Sequence, residues 1–401
     1  MEILNKIFCF LFFVSSLNVS VAQTKTKDQS AATRIKPGAE QVAEYLPLLQ
    51  GKVVAVVANP TSMIGKTHLV DSLFFHKVKI KCVLAPEHGF RGNVSAGHKI
   101  DTQVDDRTGL FVISLYGKHF KPTEDDLRGV DVVVFDIQDV GVRFYTYIST
   151  LQYVMEACAE QGKQLIVLDR PNPNGFYVDG PVLDKKYASF VGMNSIPIVH
   201  GMTIGEYAQM LNGEHWLAKG VQCNLRVIKV KNYSHKDLYQ LPVKPSPNLP
   251  DMTSVYLYPS VCLFEGTKVS LGRGTEKPFE LIGFPGLKGG EISFTPKSIP
   301  GVVEHPQYED TLCSGFDISE FGKMYALNFK KMYLFWLKGM YDSYPEKEKF
   351  FIPFFDTLAG SDQLRKQIIS GMDDEAIHKS WEEDLKKFKA IRKKYLLYED
   401  F

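Results

Sequence analysis

The sequence has no excess of charge of either sign. Its 47 lysine and arginine residues nearly balance 46 aspartate and glutamate residues, which gives a formal net charge of +1 over 401 residues. Proteins that bind nucleic acids or anionic membranes usually carry a clear basic surplus, so the composition argues against both partners. The body of the chain also has no run of about 18 apolar residues, so the sequence predicts no membrane-spanning helix there.

Several nucleotide-binding and catalytic motifs are missing as well. The first predicted strand is followed neither by G-x-G-x-x-G nor by G-x-x-x-x-G-K-[ST], so the common phosphate-binding loops are not found there. G-x-S-x-G and H-E-x-x-H are absent too, which weakens serine hydrolase and zinc protease interpretations. Glu87 and His88 with His98 carry possible metal ligands, but their spacing fits no common site. We therefore expect neither a metal nor a cofactor.

The cysteine pattern is not that of a disulfide framework. Lys6, the apolar run Ile7–Val14 and the small residues up to Ala22 are typical of a secretory signal peptide, so we expect residues 1–22 to be cleaved. Five cysteines then remain, without C-x-x-C spacing, and at most one pair is expected to oxidise. The signal peptide predicts export from a bacterial cell, to the periplasm or beyond.

Strand-like and helix-like segments alternate after a polar leader at residues 23–37. Short, continuous apolar runs at Lys52–Ala58, Val78–Leu84, Val130–Ile137 and Leu165–Leu168 predict strands that are covered on both faces, as in a mainly parallel sheet. Apolar residues at helical spacing in Ser149–Gln161 predict the crossover helix that parallel strands require.

The same alternation of strand-like and helix-like segments continues to about residue 240, and the amino-acid composition then changes. Ile196–Val199 and Leu225–Val230 are expected to be strands, with a helix after Thr203 between them. Loops rich in proline and glycine follow, and the chain ends in two segments with helical periodicity. We therefore expect an α/β lobe at residues 38–240, with helices on both faces of its sheet, and an α+β auxiliary lobe at residues 241–401.

Residues suited to carbohydrate chemistry follow the predicted strands. Asn59, the pair Glu87 and His88, the stretch Asp136–Tyr147 and the segment after Asp169 each come after a strand. Ligands of parallel sheets bind beyond the carboxyl ends of the strands, so these residues are expected to meet at one edge. Carboxylates near aromatic rings suit glycoside cleavage, in which one acid protonates the leaving oxygen and a second carboxylate stabilises or attacks the sugar.

The motifs together resemble a known enzyme family. They are Ala85–Gly92, Asp136–Tyr147, Leu168–Pro173, His200–Glu206, Pro245–Asn248, Phe264–Thr267, Gly272–Phe279 and Tyr395–Tyr398. This set is similar to the exo-β-N-acetylmuramidases of glycoside hydrolase family 171, formerly catalogued as domain of unknown function 1343. The resemblance extends from about Gly51 to the C-terminus. It implies a Rossmann-like lobe with an auxiliary lobe that closes a cleft, no nicotinamide, and removal of terminal N-acetylmuramic acid from the non-reducing end of peptidoglycan fragments.

For this chemistry Glu87 is the predicted general acid, and His88 is expected to orient it or a sugar hydroxyl. Asp139 and Glu265 compete for the second carboxylate role, with a slight preference for Asp139, while Asp136 is expected to be structural. The acetamido group of the sugar is an alternative nucleophile, with a carboxylate only orienting it.

Substrate contacts are predicted for a further set of residues. N-acetylmuramic acid carries a lactyl carboxylate, and Arg143 and Arg273 are the candidate cations for it; Arg170 is expected to pair with Asp169 or the backbone. Other predicted contacts are Asn59, Tyr145, Tyr147, Asn172, His200, Asn248 and Thr275. Loop-fixing hydrogen bonds are an equally good interpretation of Asn172, His200 and Asn248. Whether Tyr145 and Tyr147 both face the cleft depends on whether their segment is extended or helical.

Two other function classes stay open. A cell-wall carbohydrate esterase or amidase needs an activated serine, for which Ser62 and Ser246 are the candidates. A protein that binds muropeptides without cleaving them is the third possibility. In every case the expected partner is a peptidoglycan-derived saccharide, without nucleic acid and without membrane insertion after signal cleavage.

Overall fold

A large, mainly parallel sheet organises the first half of the fold. The computed structural model describes residues 34–92 and 103–401; the predicted signal peptide and most of the predicted leader lie outside these residues. Strands of the first half are β1 (Val53–Ala58), β2 (Met63–Ile64), β3 (Thr67–His68), β4 (Lys79–Ala85), β5 (Gln103–Val104), β6 (Phe111–Ser114), β7 (Val132–Asp136), β8 (Gln164–Leu168) and β9 (Asn224–Ile228). Within the described part, seven of them form one sheet in the order β5-β6-β4-β1-β7-β8-β9, and β2 pairs with β3.

The strand order explains where a site should form. All neighbours in the large sheet are parallel except β5, which pairs antiparallel with β6. Counting only the parallel strands, their spatial order is that of a dinucleotide-binding fold, and it reverses direction next to β1. The carboxyl ends of β1, β4 and β7 therefore border the crevice where this fold class places its ligands. This confirms the predicted Rossmann-like, mainly parallel sheet.

Continuous apolar strands are covered by helices on both faces. The first-half helices are α1 (Val42–Leu49), α2 (Leu69–Phe75), α3 (Glu124–Leu127), α4 (Tyr147–Glu160) and α5 (Ile204–Gly213), with 3₁₀ turns at Gly38–Glu40, Lys185–Tyr187 and Ala218–Gly220. Val54 and Val56 of β1 pack in one core with α1 and α2, whereas Ala55 and Val57 pack in the other with α4 and α5. This alternation follows from the period of two along a strand.

The second half combines a small antiparallel sheet with helices, as predicted for an α+β lobe. Its elements are α6 (Met252–Val261), a 3₁₀ turn (Cys262–Gly266), β10 (Leu281–Phe284), β11 (Ile292–Phe294), β12 (Cys313–Asp317), α7 (Ser319–Phe329), α8 (Phe335–Ser343), α9 (Lys347–Phe350), α10 (Phe354–Ala359), α11 (Gln363–Ile369), α12 (Asp374–Arg392) and a 3₁₀ turn (Lys393–Tyr395). Among the described residues these strands form a three-stranded sheet in the order β10-β12-β11. None of the described helices combines the length and apolar character needed to cross a membrane.

The two ends of the described chain pack against the parallel sheet. Lys36, at the end of the predicted leader, forms an antiparallel bridge with Lys231. Arg392 at the end of α12 donates two hydrogen bonds to the Gly201 carbonyl, and the Tyr398 hydroxyl donates to Asp169 after β8. The C-terminal residues therefore contact the first-half sheet although they follow the second half in sequence.

Several strand assignments differ from the prediction, among them the short strands β2, β3 and β5, which were not predicted. Ile196–Val199 is not a strand: it is buried loop, in which Val199 forms isolated bridges with Val142 and Asp179. Its apolar character serves packing rather than sheet pairing. Conversely, β6 was not predicted, although it occupies a place in the large sheet beside β4. The described cysteines are buried free thiols, as expected for Cys82 and Cys158.

Candidate active site

A pocket of about 240 Å³ lies beyond the carboxyl ends of the strands. Residues from both halves of the chain line it: Glu87, His88, Tyr116, Phe144, Tyr145, Thr146, Tyr147, Phe190, Val191, Ser246, Asn248, Leu249, Tyr258, Glu265, Arg273 and Phe279. The wall thus combines two carboxylates, one arginine and several aromatic rings. Such a mixture of apolar faces and a few polar groups is typical of a small-molecule site.

Glu87 reaches the pocket from a tight turn directly after β4. Gly89 donates its backbone N–H to the Pro86 carbonyl, and both His88 (φ 69°) and Gly89 (φ 75°) adopt left-handed backbone conformations. Glycine takes this conformation at low cost, whereas for histidine it is unusual and points to a constrained turn. The turn leaves Glu87 half-buried on the pocket wall.

The Tyr116 phenol accompanies the Glu87 carboxylate. Tyr116 follows β6, and its hydroxyl hydrogen-bonds to Glu87. Burial and this neighbouring carboxylate raise the pKa of Tyr116, so the phenol stays neutral and donates its proton. Tyr147, across the wall, also feels the charge of Glu87, which contributes to its raised pKa. The turn and the hydrogen bond with Tyr116 therefore hold Glu87 in place, and the Tyr147 phenol lies nearby.

Glu265 is the second carboxylate on the wall, and it is paired with Arg273. The Arg273 Nε and Nη2 atoms both donate to Glu265 Oε1, with an Nε to Oε1 distance of 3.1 Å. The Arg273 guanidinium also lies 5.0 Å from the ring centroid of Phe279. About a quarter of each charged side chain is exposed, 24% for Glu265 and 27% for Arg273, so both can meet a ligand.

Asp139 lies behind the wall rather than on it, although it was the slightly preferred second carboxylate. The chain after β7 turns into the core, and Asp139 is only 3% exposed. The backbone N–H of Gly141 donates to its Oδ2 at 2.6 Å, while Oδ1 has no partner among the described residues. Burial raises the pKa of Asp139 to about 7. The structure therefore brings Glu265, not Asp139, together with Glu87.

Asn172 and His200 also lie away from the wall, in buried loops. The Asn172 amide donates to the Met202 carbonyl and accepts from Asn174. His200 Nδ1 accepts from the Met202 backbone N–H, and its Nε2 lies 3.8 Å from Asp139 Oδ2. Burial and nearby cations lower the pKa of His200 to about 3, so its ring is neutral. Both residues hold loops, which was one of their two predicted roles.

Arg143 is fully buried and cannot bind a substrate in the pocket. Its Nη1 donates to the carbonyls of Pro181 and Ile196, and its Nη2 donates to that of Leu358, at 2.7–2.8 Å. The guanidinium thus ties together three backbone segments. The prediction of Arg143 as a substrate ligand is wrong, and Arg273 remains the candidate.

Arg170 is likewise structural: its guanidinium donates to the Met63 backbone carbonyl, as one of the two predicted alternatives had it, but its ion-pair partner is not Asp169. It forms a bidentate ion pair with Asp136, at 2.6 and 2.9 Å. Asp169 instead accepts from the backbone N–H of Arg170. Asp136 therefore is the strand-end structural carboxylate that the sequence indicated.

Tyr145 and Tyr147 both line the pocket because the chain bends between them. Tyr147 is the first residue of α4, and the two ring centroids lie 4.9 Å apart at 83°. The Tyr145 hydroxyl donates to the Pro245 carbonyl at 2.6 Å. This contact fixes the ring against the loop that carries Ser246 and Asn248.

The remaining predicted ligands divide between the wall and its support. Asn248 is on the wall; its amide donates to the Val302 carbonyl, and its Oδ1 has no partner among the described residues. Asn59 is buried near Tyr147 and accepts from the Thr61 backbone N–H. The Thr275 hydroxyl donates to the Gly272 carbonyl and is not on the wall. Only Asn248 of these three reaches the pocket.

Sequence reasoning missed part of the aromatic wall. Tyr116, Phe190, Tyr258 and Phe279 were not singled out, although all four line the pocket. Tyr116 follows β6 as Glu87 follows β4, but because β6 itself was not predicted, the same reasoning did not reach Tyr116. The other three come from loops and from α6, where the sequence carries no signal for direction. No group of three described His, Cys, Asp or Glu residues is placed to hold a metal ion, and His98 lies outside the described residues.

The chain is similar to proteins of one family throughout its length. Residues 54–253 match the family model described as exo-beta-N-acetylmuramidase NamZ, N-terminal, and residues 256–398 match its C-terminal counterpart. A peptidoglycan beta-N-acetylmuramidase NamZ from Bacillus subtilis is 40% identical over an alignment of 419 residues, gaps included. The alignment covers 98% of this chain and 99% of that protein.

Two crystal structures of DUF1343 family proteins from Bacteroides fragilis share the fold. The first is 45% identical with a TM-score of 0.84, and the second is 32% identical with a TM-score of 0.75. Each comparison covers 92% of this chain and all of the other chain.

Proposed function

The chain belongs to the exo-β-N-acetylmuramidase NamZ family, and we infer from this that it is a glycoside hydrolase that releases terminal N-acetylmuramic acid from the non-reducing end of peptidoglycan fragments. The structural observation that carries the inference is the pocket in which Glu87 and Glu265 share one wall with aromatic rings. Two carboxylates beside a sugar-sized aromatic pocket are the groups that glycoside cleavage requires.

Within this activity we propose Glu87 as the general acid. Glu87 lines the pocket with the Tyr116 hydroxyl hydrogen-bonded to it, so its carboxyl group can face the glycosidic oxygen of a bound substrate. We propose Glu265 for the second carboxylate role, because it is the other described carboxylate that lines the pocket. It either attacks the anomeric carbon or orients the acetamido group of the sugar for that attack. His88 and Asn248 are proposed to hold sugar hydroxyl or acetamido groups from the same wall.

Arg273 is proposed to recognise the lactyl carboxylate that distinguishes N-acetylmuramic acid from N-acetylglucosamine. Glu265 engages the Nε and Nη2 atoms, while the guanidinium has five N–H donors in total. The remaining donors suit a second carboxylate, since arginine binds carboxylates through paired, charge-assisted hydrogen bonds. The same contact would couple substrate recognition to the position of Glu265.

Export and lobe organisation are also proposals. The order of Lys6, the apolar run Ile7–Val14 and Ala22 supports a signal peptide, and a peptidoglycan substrate outside the cytoplasmic membrane agrees with it. The mature protein secreted by the cell should begin at Gln23, which N-terminal sequencing can establish. The two family models meet between residues 253 and 256, which supports a catalytic and an auxiliary lobe, although this junction lies later in the chain than the expected boundary at residue 240.

Incubation with the disaccharide of N-acetylmuramic acid β-linked to N-acetylglucosamine separates the function classes. A glycosidase releases both free sugars. A hydrolase of the acetamido groups releases acetate and leaves the disaccharide linkage intact, and an amidase that removes stem peptides is detected with the peptide-bearing disaccharide instead. The candidate serine for these activities is Ser246, which lies 3.5 Å from His88 Nε2, whereas Ser62 is buried and donates to the Asp136 carbonyl. A binding protein retains the disaccharide unchanged, and that result would refute the inference.

A further inference from the structure

A second cavity opens beside the active-site pocket. It has a volume of about 480 Å³ and is lined by Pro60, Arg91, Val243, Lys244, Pro300 and Val302, among others. His88, Tyr147 and Ser246 line both cavities. The two spaces are therefore neighbours that share a wall.

The two cavities differ in charge. The pocket contains Glu87 and Glu265, whereas no described residue that lines the second cavity is a carboxylate. Of its two cations, Arg91 is neutralised by Asp71 and Asp105, each at 2.8 Å. Lys244 is exposed and forms no ion pair with any described residue. The second cavity therefore presents one uncompensated positive charge, at Lys244.

The shared wall is also where the scissile bond should lie. A general acid must contact the oxygen that joins the terminal sugar to the leaving sugar. Glu87 directly precedes His88, and its charge acts on Tyr147, so the acid lies next to two of the three residues that line both cavities. With the terminal sugar in the pocket, the leaving sugar then enters the second cavity.

We propose that the second cavity is the leaving-group subsite, which holds the N-acetylglucosamine end of the departing glycan and presents Lys244 to the lactyl carboxylate of the muramic acid beyond it. This inference rests on the proposed function, because it assigns Glu87 as the acid. It goes beyond that function by naming an anionic glycan chain, rather than a single sugar, as the preferred leaving group.

The first experiment fills the cavity. Val302→Trp adds bulk from a half-buried position that lines only the second cavity, and Leu312→Trp is the matched control on an exposed loop of the same lobe. Val302→Trp should lower kcat/KM for the disaccharide about tenfold or more, because a displaced leaving sugar loses its alignment with the acid. Inhibition by free N-acetylmuramic acid, which needs only the pocket, should stay unchanged. Val243→Trp tests the opposite side of the cavity if Val302→Trp fails to fold.

The second experiment removes the charge. Lys244→Gln should lower kcat/KM for a tetrasaccharide of two such disaccharide units about two- to fivefold, the range expected for one exposed charge contact, and leave the disaccharide rate unchanged. Lys244→Arg should restore the preference for the tetrasaccharide over the disaccharide. Added salt should weaken this preference in the wild type.

The outcomes distinguish this inference from the proposed function. If the wild type releases no N-acetylmuramic acid from either substrate, the proposed function fails. If the wild type is active but Val302→Trp weakens inhibition by N-acetylmuramic acid as much as it slows the disaccharide, or has no effect on either, the leaving sugar does not occupy the second cavity. Equal losses on both substrates in Lys244→Gln would refute the role of Lys244.

Discussion

Glu87 and Glu265 come from distant parts of the sequence and share one wall. Each is held by a different kind of partner, a neutral phenol for Glu87 and a guanidinium for Glu265. Two carboxylates in different environments can take different roles, one as acid and one as base or nucleophile.

Replacing Glu87 by Gln should lower kcat roughly 10²-fold or more while leaving disaccharide binding largely intact, because only proton donation is lost. Initial rates and a binding titration on the same preparation measure both effects. Asp139→Asn is the matched control, since it changes a carboxylate that is off the wall. A larger loss of kcat in Asp139→Asn than in Glu87→Gln would move the catalytic assignment to Asp139.

Arg273→Ala should lower kcat/KM for the muramyl disaccharide. The loss should correspond to about 1.5–3 kcal/mol of transition-state free energy, which is the contribution of a charge-assisted hydrogen bond. A substrate whose terminal sugar is N-acetylglucosamine lacks the lactyl carboxylate, so its already low rate should change little. Amidation of the lactyl group should mimic the mutation. Equal losses on both substrates would show that Arg273 serves Glu265 or the fold instead of recognising the carboxylate.

Asp139 should make the stability of the protein depend on pH. Its pKa is about 7 in the folded state, above the value of about 3.9 for an unfolded aspartate, so the folded state binds the proton more tightly. Stability from this group is therefore present at low pH and lost as the pH rises through about 7. Asn cannot titrate, so the unfolding free energy of Asp139→Asn relative to wild type should rise by on the order of 2–4 kcal/mol from about pH 4 to about pH 8. Urea denaturation measures these unfolding free energies. If they changed with pH in the same way in Asp139→Asn and in wild type, the raised pKa of Asp139 would be contradicted.

At the scale of elements, short apolar runs made the central strands predictable. β1 and β7 are mostly valine and almost wholly buried, β8 is apolar after Gln164, and β4 is apolar and buried in its second half, after Lys81. β6 has only four residues and lies beside the short antiparallel edge strand β5, so its local signal is weak. Ile196–Val199 shows the opposite error, because a buried loop can be as apolar as a strand.

The helix α5 begins with a capping box, and the capping residue Thr203 also contacts Asp169, which follows β8. Thr203 Oγ1 accepts from the Glu206 backbone N–H and donates to Asp169 Oδ2 at 2.7 Å. Thr203→Ala should lower the free energy of unfolding by about 1–2 kcal/mol, because a helix donor and a buried carboxylate both lose a partner. Chemical denaturation measures the change, and Thr203→Ser, which keeps the hydroxyl, should lose much less. Similar losses in both variants would assign the effect to packing of the Thr203 methyl group.

At the scale of the whole molecule, the pocket depends on contacts that no local pattern records. Arg143 and Arg273 were equal candidates in the sequence, and only the fold shows that one is enclosed by three carbonyls while the other faces the pocket. Only the fold likewise distinguishes Asp139 from Glu265 as the second carboxylate. Asp139 lies in a buried loop, whereas Glu265 lies in a 3₁₀ turn of the second half and lines the pocket. Strand ends could be predicted, but the loops that complete the wall could not.

Exo-cleavage by the whole enzyme is best measured on two defined glycan chains of equal length. One chain carries N-acetylmuramic acid at its non-reducing end and the other carries N-acetylglucosamine there. The wild type should rapidly release one N-acetylmuramic acid from each molecule of the first chain and then slow sharply, and it should act on the second chain only at the low rate expected for an N-acetylglucosamine end; Glu87→Gln should be nearly inactive on both. Internal fragments from either chain, or equal release from both, would contradict an exo-acting muramidase.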